Sequence, residues 1–179
     1  MKKLGLCCLV IFSILSCKSP EARRPVSVKS GSYIDESIAR NIKLYEDEKT
    51  RFQVVMDANP NQDYELSQNG FWYTYNTKIE ADSIAKPDFG DVVNFDYNVK
   101  TIDGKLLYSF EETKPDTYIM DKQELFTGLR EGLKLMKAGE TATFLFPSSQ
   151  AYGYYGDQNK IGTNIPLICK VTIHSITEN

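Results

Sequence analysis

Hydrophobic and polar residues alternate along several stretches of the chain, most clearly after residue 70. From 93 to 99 every second residue is apolar, and the residues between are Asn or Asp. The same period of two recurs over 142–146 and 167–173. This period is typical of strands that bury one face, and the aromatic run 71–76 is also strand-like. The second part of the chain is therefore predicted to be mostly β-sheet.

One short helix is predicted to interrupt this sheet, from about Gln123 to Lys137. Its apolar residues recur at helical spacing, and Gly139 is suited to a left-handed C-cap. Asp103-Gly104 supplies a tight hairpin signal, because glycine tolerates a positive φ. The apolar stripe of the helix consists of Leu125, Leu129, Leu133 and Met136. The predicted fold class is α+β, a twisted antiparallel sheet wrapped on one short α-helix.

An amphipathic helix is predicted ahead of the sheet, over residues 33–59. Its apolar residues fall near helical spacing with charged residues between them, and Asn59-Pro60 is a plausible stop. The stripe consists of Ile34, Ile38, Ile42, Tyr45, Phe52 and Met56. Two interpretations stay open. The helix packs on its own domain, or it pairs with a second copy or a partner, with a homodimer formed through residues 33–58.

The beginning of the chain has the pattern of an export signal. Two lysines precede an apolar run over 4–15, which is too short to span a bilayer permanently. The sequence 14–17 resembles a bacterial lipobox. We therefore expect residues 1–16 to be a lipoprotein signal peptide, Cys17 to carry lipid, and residues 17–32 to form a flexible tether. The alternative is an ordinary signal peptide that leaves Cys17 as a free thiol.

Composition limits the remaining functions. If Cys17 carries lipid, Cys169 is the one cysteine left after the signal peptide, so the domain has no internal disulfide and depends on its core. The formal net charge of −3 argues against a nucleic-acid partner. No cluster with metal-ligand spacing is present, and neither a metal nor a cofactor is expected. The expected location is the cell envelope, with the lipid-anchored domain facing the periplasm.

Three motifs in the β-rich part resemble those of FKBP-type peptidyl-prolyl isomerases. Residues 90–97, followed by 103–105, resemble the central hairpin of that family. The segment 122–133 resembles its helix, and Ala-Tyr-Gly at 151–153 matches its loop. The resemblance implies an FKBP-type isomerase domain over residues 60–179, acting on proline-containing exported polypeptides. The whole chain is similar to the gliding-motility-associated isomerase lipoproteins of Bacteroidota-type bacteria.

The implied chemistry needs no nucleophile, because no bond is made or cleaved. Rotation about the peptide bond before proline crosses a barrier of about 18–20 kcal/mol, and an apolar cleft that favours the twisted amide lowers it. The resemblance implies catalytic roles for Tyr97, Phe126 and Tyr152, with donors at the backbone N–H of Phe126 and the Tyr152 hydroxyl. The substrate-binding residues it implies are Leu107, Tyr108, Tyr118, Leu125, Leu129, Ile161 and Cys169.

Several of these positions depart from the family pattern. Leu129 stands where the family has a tryptophan floor, Leu107 replaces a phenylalanine, Tyr108 replaces an aspartate, and Cys169 replaces an aromatic residue. The loop 160–166 also lacks the usual Ile-Pro-Pro. A flat floor and a rim carboxylate are thereby lost, which predicts reduced turnover or an altered peptide preference. Two functions follow: a folding isomerase, or a non-catalytic chaperone or structural subunit that only binds.

Overall fold

The fold is that of a computed structural model, which describes residues 30–81, 84–113 and 117–179, with side chains from Tyr33 onward. The predicted signal peptide, the lipid attachment at Cys17 and the tether up to residue 29 lie outside these residues. The chain divides into two compact units, Met1–Ile38 and Ala39–Asn179. None of the described helices combines the length and the apolar character that a membrane span requires.

The structure describes three helices, seven strands and one 3-10 turn. In chain order they are helix α1 (Ser30–Asp57), strands β1 (Glu65–Leu66), β2 (Trp72–Thr77), β3 (Val92–Thr101) and β4 (Leu106–Tyr108), helix α2 (Phe110–Thr113), strand β5 (Tyr118–Ile119), helix α3 (Thr127–Leu133), strand β6 (Thr141–Phe146), a 3-10 turn (Ser148–Gln150) and strand β7 (Leu167–Thr177). Each of the four strand predictions corresponds to one of these strands.

The strands form one sheet in the order β1-β2-β6-β7-β3-β4, with β5 paired to β3. All neighbours are antiparallel, and β3 and β7 pair along ten residues, from Val92↔Thr177 to Thr101↔Leu167. Their alternate side chains enter one apolar core, in which Phe95, Val171 and Ile173 are completely buried. The β3–β4 hairpin turns at Gly104, whose φ is +82°, as predicted. The α+β fold class is confirmed.

The helix beside the sheet is shorter than its predicted span of 123–137. Phe126 is still extended, with φ −63° and ψ 145°, and the helix ends at Leu133. The apolar spacing continues beyond this end because Met136, although outside the helix, is also completely buried. Gly139 is therefore not the C-cap of this helix. It has φ +86° in the turn before β6, and its N–H donates to the carbonyl of Ile173 at 2.7 Å.

Two glycines of helix α3 lie directly against aromatic rings of the sheet. A Cβ added to Gly128 would stand 2.6 Å from the ring of Phe146, and one added to Gly132 would stand 3.0 Å from the ring of Phe144. The two rings are stacked, with centroids 5.4 Å apart and planes 4° apart. The helix thus rests on a flat aromatic surface of β6.

The second half of α1 packs on its own unit, as the first of the two interpretations expected. Phe52 is completely buried against Trp72 and Leu145, and Tyr45 stacks on Trp72 with ring centroids 6.5 Å apart. These contacts form an apolar cluster separate from the main core. On the same helix Val54 is 65% exposed. Pairing through residues 33–58 stays a prediction.

We expect Phe52→Ala to lower the free energy of unfolding by about 3–5 kcal/mol, because it empties a buried aromatic site. Val54→Ala changes an exposed residue of the same helix and should alter it by less than about 0.5 kcal/mol. Urea unfolding at neutral pH measures both values. Equal and small effects would mean that α1 contributes little to the folded unit.

Candidate functional site

The structure brings all ten predicted site residues into one apolar cluster. Five of them are buried: Tyr97, Tyr118, Leu129, Ile161 and Cys169. The other five pack against these from the surface: Leu107, Tyr108, Leu125, Phe126 and Tyr152. They come from β3, β4, β5, α3 and its leading segment, the loop 151–166, and β7. All ten therefore belong to the main core or to its immediate surface, and a shared role in binding a substrate stays a prediction.

An open cavity of about 530 Å³ lies at the surface of this cluster. It is lined by the segment before α3 and by the loop after the 3-10 turn. Three predicted residues line it: Leu125, Phe126 and Tyr152. We call this cavity the groove. Its remaining lining comes from Gln123, Glu124, Thr127, Arg130 and Ala151.

Two hydrogen-bond donors at the groove are unused. Among the residues that the structure describes, neither the N–H of Phe126 nor the hydroxyl of Tyr152 has a hydrogen-bond partner. The two rings touch, with centroids 5.1 Å apart. Phe126 also packs edge-on against Phe146 at 5.4 Å, which fixes its ring on the sheet. The arrangement offers two donors beside an aromatic wall.

The loop that carries Tyr152 is held by the backbone of Ser148. The carbonyl of Ser148 accepts hydrogen bonds from the N–H groups of Ala151 at 3.1 Å and Gly153 at 2.9 Å, one on each side of Tyr152. The N–H of Ser148 donates to Oε2 of Glu48 on α1 at 2.9 Å. Sequence reasoning missed Glu48, because a hydrophobic pattern does not reveal a buried contact between residues this far apart.

Tyr108, which stands where the family has an aspartate, is bonded to a carboxylate from another part of the chain. The Tyr108 hydroxyl donates to Oδ2 of Asp157, so a residue of the loop supplies the acid that β4 lacks. Oδ1 of Asp157 accepts from the N–H of Asn159 at 2.9 Å and from that of Ile161 at 2.7 Å. The signal that could have found it is an Asp in a glycine-rich turn, which commonly binds nearby N–H groups.

A second contact ties the same loop to α2. The ammonium group of Lys160 pairs with Glu112 and stands 4.5 Å from the ring centre of Tyr108. The hydroxyl of Thr113, the last residue of α2, donates to the carbonyl of Tyr97. Two contacts therefore hold the loop. Asp157 bonds to Tyr108 of β4, and Lys160 pairs with Glu112 of α2.

The titratable side chains at the centre of the site are neutral at physiological pH. Burial raises the pKa of Tyr152 to about 12, with a further contribution from the charge of Asp157. Burial likewise raises the pKa of Tyr97 and of the Cys169 thiol above their ordinary ranges. Neutral groups cannot act as an ionised nucleophile or base. The site is suited to binding and to donating hydrogen bonds.

Leu129 and Cys169 are the deepest of the predicted substrate-binding residues. Both are completely buried and present no surface to the groove. Their direct contact with a substrate stays a prediction. Within the described part of the chain no group of three His, Cys, Asp or Glu residues is placed to hold a metal ion.

Comparison with known proteins gives one family and several relatives. A profile described as FKBP-type peptidyl-prolyl cis-trans isomerase matches residues 84–174. "Outer membrane protein MIP" of Legionella longbeachae is 35% identical over 99 residues, which are 55% of this chain and 42% of that protein. "Probable FKBP-type peptidyl-prolyl cis-trans isomerase FkpA" of Neisseria meningitidis serogroup B is 34% identical over 92 residues, which are 51% of this chain and 33% of that protein.

A solved structure is similar over most of its length. The crystal structure of a peptidyl-prolyl cis-trans isomerase from Pseudomonas syringae pv. tomato aligns with a TM-score of 0.60 and 25% identity, covering 76% of this chain and 95% of that one. The chain spans less than half the length of each of the two curated relatives.

Asp157 makes the stability of the site depend on pH. Although partial burial raises the pKa of this carboxyl, the hydrogen bonds from Tyr108 and from backbone N–H groups outweigh it, and the pKa is lowered. A lowered pKa stabilises the folded state above the unfolded value of about 3.9, and this stabilisation is lost as the pH falls through the folded pKa. We expect Asp157→Asn to lower the free energy of unfolding most near neutral pH, with the deficit shrinking below about pH 4.

Urea titrations across this pH range measure the deficit. Asp103→Asn changes an 83% exposed carboxylate in the β3–β4 turn and is the control, expected to change the free energy little at any pH. A deficit for Asp157→Asn that stays constant with pH would contradict the proposed role of the ionised carboxylate.

Proposed function

The chain belongs to the FKBP-type peptidyl-prolyl cis-trans isomerase family, and we propose that its groove speeds rotation about the peptide bond before proline in polypeptides of the cell envelope. The observation that carries the proposal is the pair of unused donors, the Phe126 N–H and the Tyr152 hydroxyl, beside an aromatic wall. The family match over residues 84–174 and the likeness to a solved peptidyl-prolyl cis-trans isomerase support the proposed activity.

The groove can lower the barrier without forming a bond to the substrate. A planar amide spreads its electrons over oxygen and nitrogen, and rotation removes this resonance. The surface formed by Phe126 and Leu125 accepts the proline ring and excludes water. The Phe126 N–H and the Tyr152 hydroxyl each donate to a substrate carbonyl, which holds the chain while the bond turns. Selective binding of the twisted amide is sufficient for catalysis.

A non-catalytic role is the second candidate. It is supported by the complete burial of two residues that were expected to line the floor of the site. Leu129 and Cys169 replace the flat residues expected at its floor, and both are completely buried. A proline ring that stays shallow is held less firmly against the donors. In this alternative the groove binds exposed segments of client proteins as a chaperone or as a subunit of an envelope complex.

We also propose that Cys17 is lipidated and anchors the domain to a membrane surface facing the periplasm. The sequence of residues 14–17 supports this, and one relative is named as an outer membrane protein. The clients are then exported proteins, including parts of a gliding motility apparatus. Fractionation of the cell envelope would show whether the inner or the outer membrane holds the lipid anchor.

We expect residues 18–179 to accelerate cis-trans exchange of a short X-Pro peptide, and Tyr152→Phe to reduce kcat/KM about fivefold through loss of one hydrogen bond. Tyr155→Phe removes a hydroxyl from an 80% exposed neighbour in the same loop and should change kcat/KM by less than twofold. Exchange measured by NMR line shapes gives both values. Tight peptide binding without acceleration would instead favour the chaperone.

Expression of the full chain in a Gram-negative host grown with labelled palmitate should give a labelled protein in the membrane fraction. The lipid chains bury CH₂ groups at about 0.8 kcal/mol each, so Cys17→Ser should release the protein into the periplasm without label. Cys169→Ser keeps the lipobox and should leave the label in place. Label that persists in Cys17→Ser would contradict the proposed anchor.

A further inference from the structure

A second cavity, of about 260 Å³, lies between α1 and the loop that carries Tyr152. Its apolar lining comes from Leu44, Tyr45 and Tyr154, and its polar lining includes Ser149, Asn164 and Glu48. The exposed fraction of Tyr154 is 71%. We call this cavity the α1 pocket.

Glu48 is the unusual residue of the α1 pocket. It is only 3% exposed, and its Oε2 accepts the hydrogen bond from the Ser148 N–H. Among the residues that the structure describes, its Oε1 has no hydrogen-bond partner. A buried carboxylate oxygen without a partner is costly. Glu48 thus gives the α1 pocket an acidic group that is incompletely hydrogen-bonded, which favours a ligand with hydrogen-bond donors and positive charge.

The rest of the lining restricts the shape of that ligand. Leu44 and the rings of Tyr45 and Tyr154 provide apolar surface, whereas Ser149 and Asn164 add polar groups. Lysine and arginine side chains combine an aliphatic stem, which packs on apolar surface, with a charged head. The shared chemistry is an ammonium or guanidinium group on an aliphatic stem.

The α1 pocket adjoins the groove along the chain. Ala151 and Tyr152 line the groove, and the next two residues, Gly153 and Tyr154, line the α1 pocket. The two cavities therefore share one loop of the chain, and an extended polypeptide advances about 3.3–3.6 Å per residue along such a surface. We propose that the α1 pocket binds a lysine or arginine side chain of the client whose proline occupies the groove. This inference rests on the proposed function.

The test uses a series of peptides with one X-Pro bond and one lysine placed two to five residues before or after the proline. Matched peptides carry norleucine, which lacks the charge, or acetyl-lysine, which keeps the length without the charge. Dissociation constants are measured with residues 18–179 by titration calorimetry. At the best position, lysine should bind about tenfold more tightly than either replacement, as for one partly desolvated charge pair.

Glu48→Gln is the matched variant, because its side-chain carbonyl can still accept the Ser148 N–H while the charge is gone. The ratio of dissociation constants for the norleucine and lysine peptides should fall from about ten to near one in this variant. Using the ratio within each protein removes any change in the groove itself. The acetyl-lysine comparison needs no variant, so the test stands even if Glu48→Gln folds poorly.

Three results would overturn the inference. Lysine could have no effect at any position, or its effect could persist in Glu48→Gln, which would assign it to general surface charge. Free pentylammonium could bind the pocket while a linked lysine adds nothing, which would indicate a small amine as the ligand. The proposed isomerase activity is tested separately, by the rate of cis-trans exchange of the norleucine peptide. That peptide contains the X-Pro bond but no lysine, so the result does not depend on the α1 pocket.

Discussion

The close contact between α3 and strand β6 determines the geometry of the groove. Gly128 and Gly132 allow the helix to rest on the stacked rings of Phe144 and Phe146, where a Cβ would be too near. Phe126, directly before the helix, packs on Phe146 and then on Tyr152. A continuous series of ring contacts therefore runs from the sheet to the groove. A small displacement of the helix would move the Phe126 N–H by the same amount.

The loop that bears Tyr152 depends on a few buried polar contacts. Glu48 fixes the Ser148 peptide, whose carbonyl fixes the N–H groups on both sides of Tyr152. Farther along, the Asn164 N–H donates to Gly153 at 2.8 Å, and Asp157 holds the N–H of Ile161. Functional loops are commonly positioned by a rigid scaffold. Here α1, which lies outside the matched family region of residues 84–174, supplies part of that scaffold.

Sequence patterns predicted the strands well and the loop contacts poorly. The strands were predictable because side chains of one sheet face repeat every two residues, as from Val93 to Val99. The end of α3 was not predictable, since Met136 continues the apolar spacing beyond the helix and is completely buried there. The positions of Glu48 and Asp157 depend on tertiary packing, which no local period encodes. Of the residues that the resemblance implied, Leu125, Phe126 and Tyr152 line the groove, whereas Leu129 and Cys169 are completely buried because they fill the core.

The position of β7 has a consequence for how the domain folds. This strand is the last element in the chain, yet it lies between β6 and β3 at the centre of the sheet. During synthesis or export, the edge of β3 that pairs with β7 stays unpaired until residues 167–177 have emerged. Pairings so distant in sequence are slow to form, and the entropy of closing a long loop precedes their benefit. The pairing of β3 with β7 is therefore expected to be among the last steps in the folding of this domain.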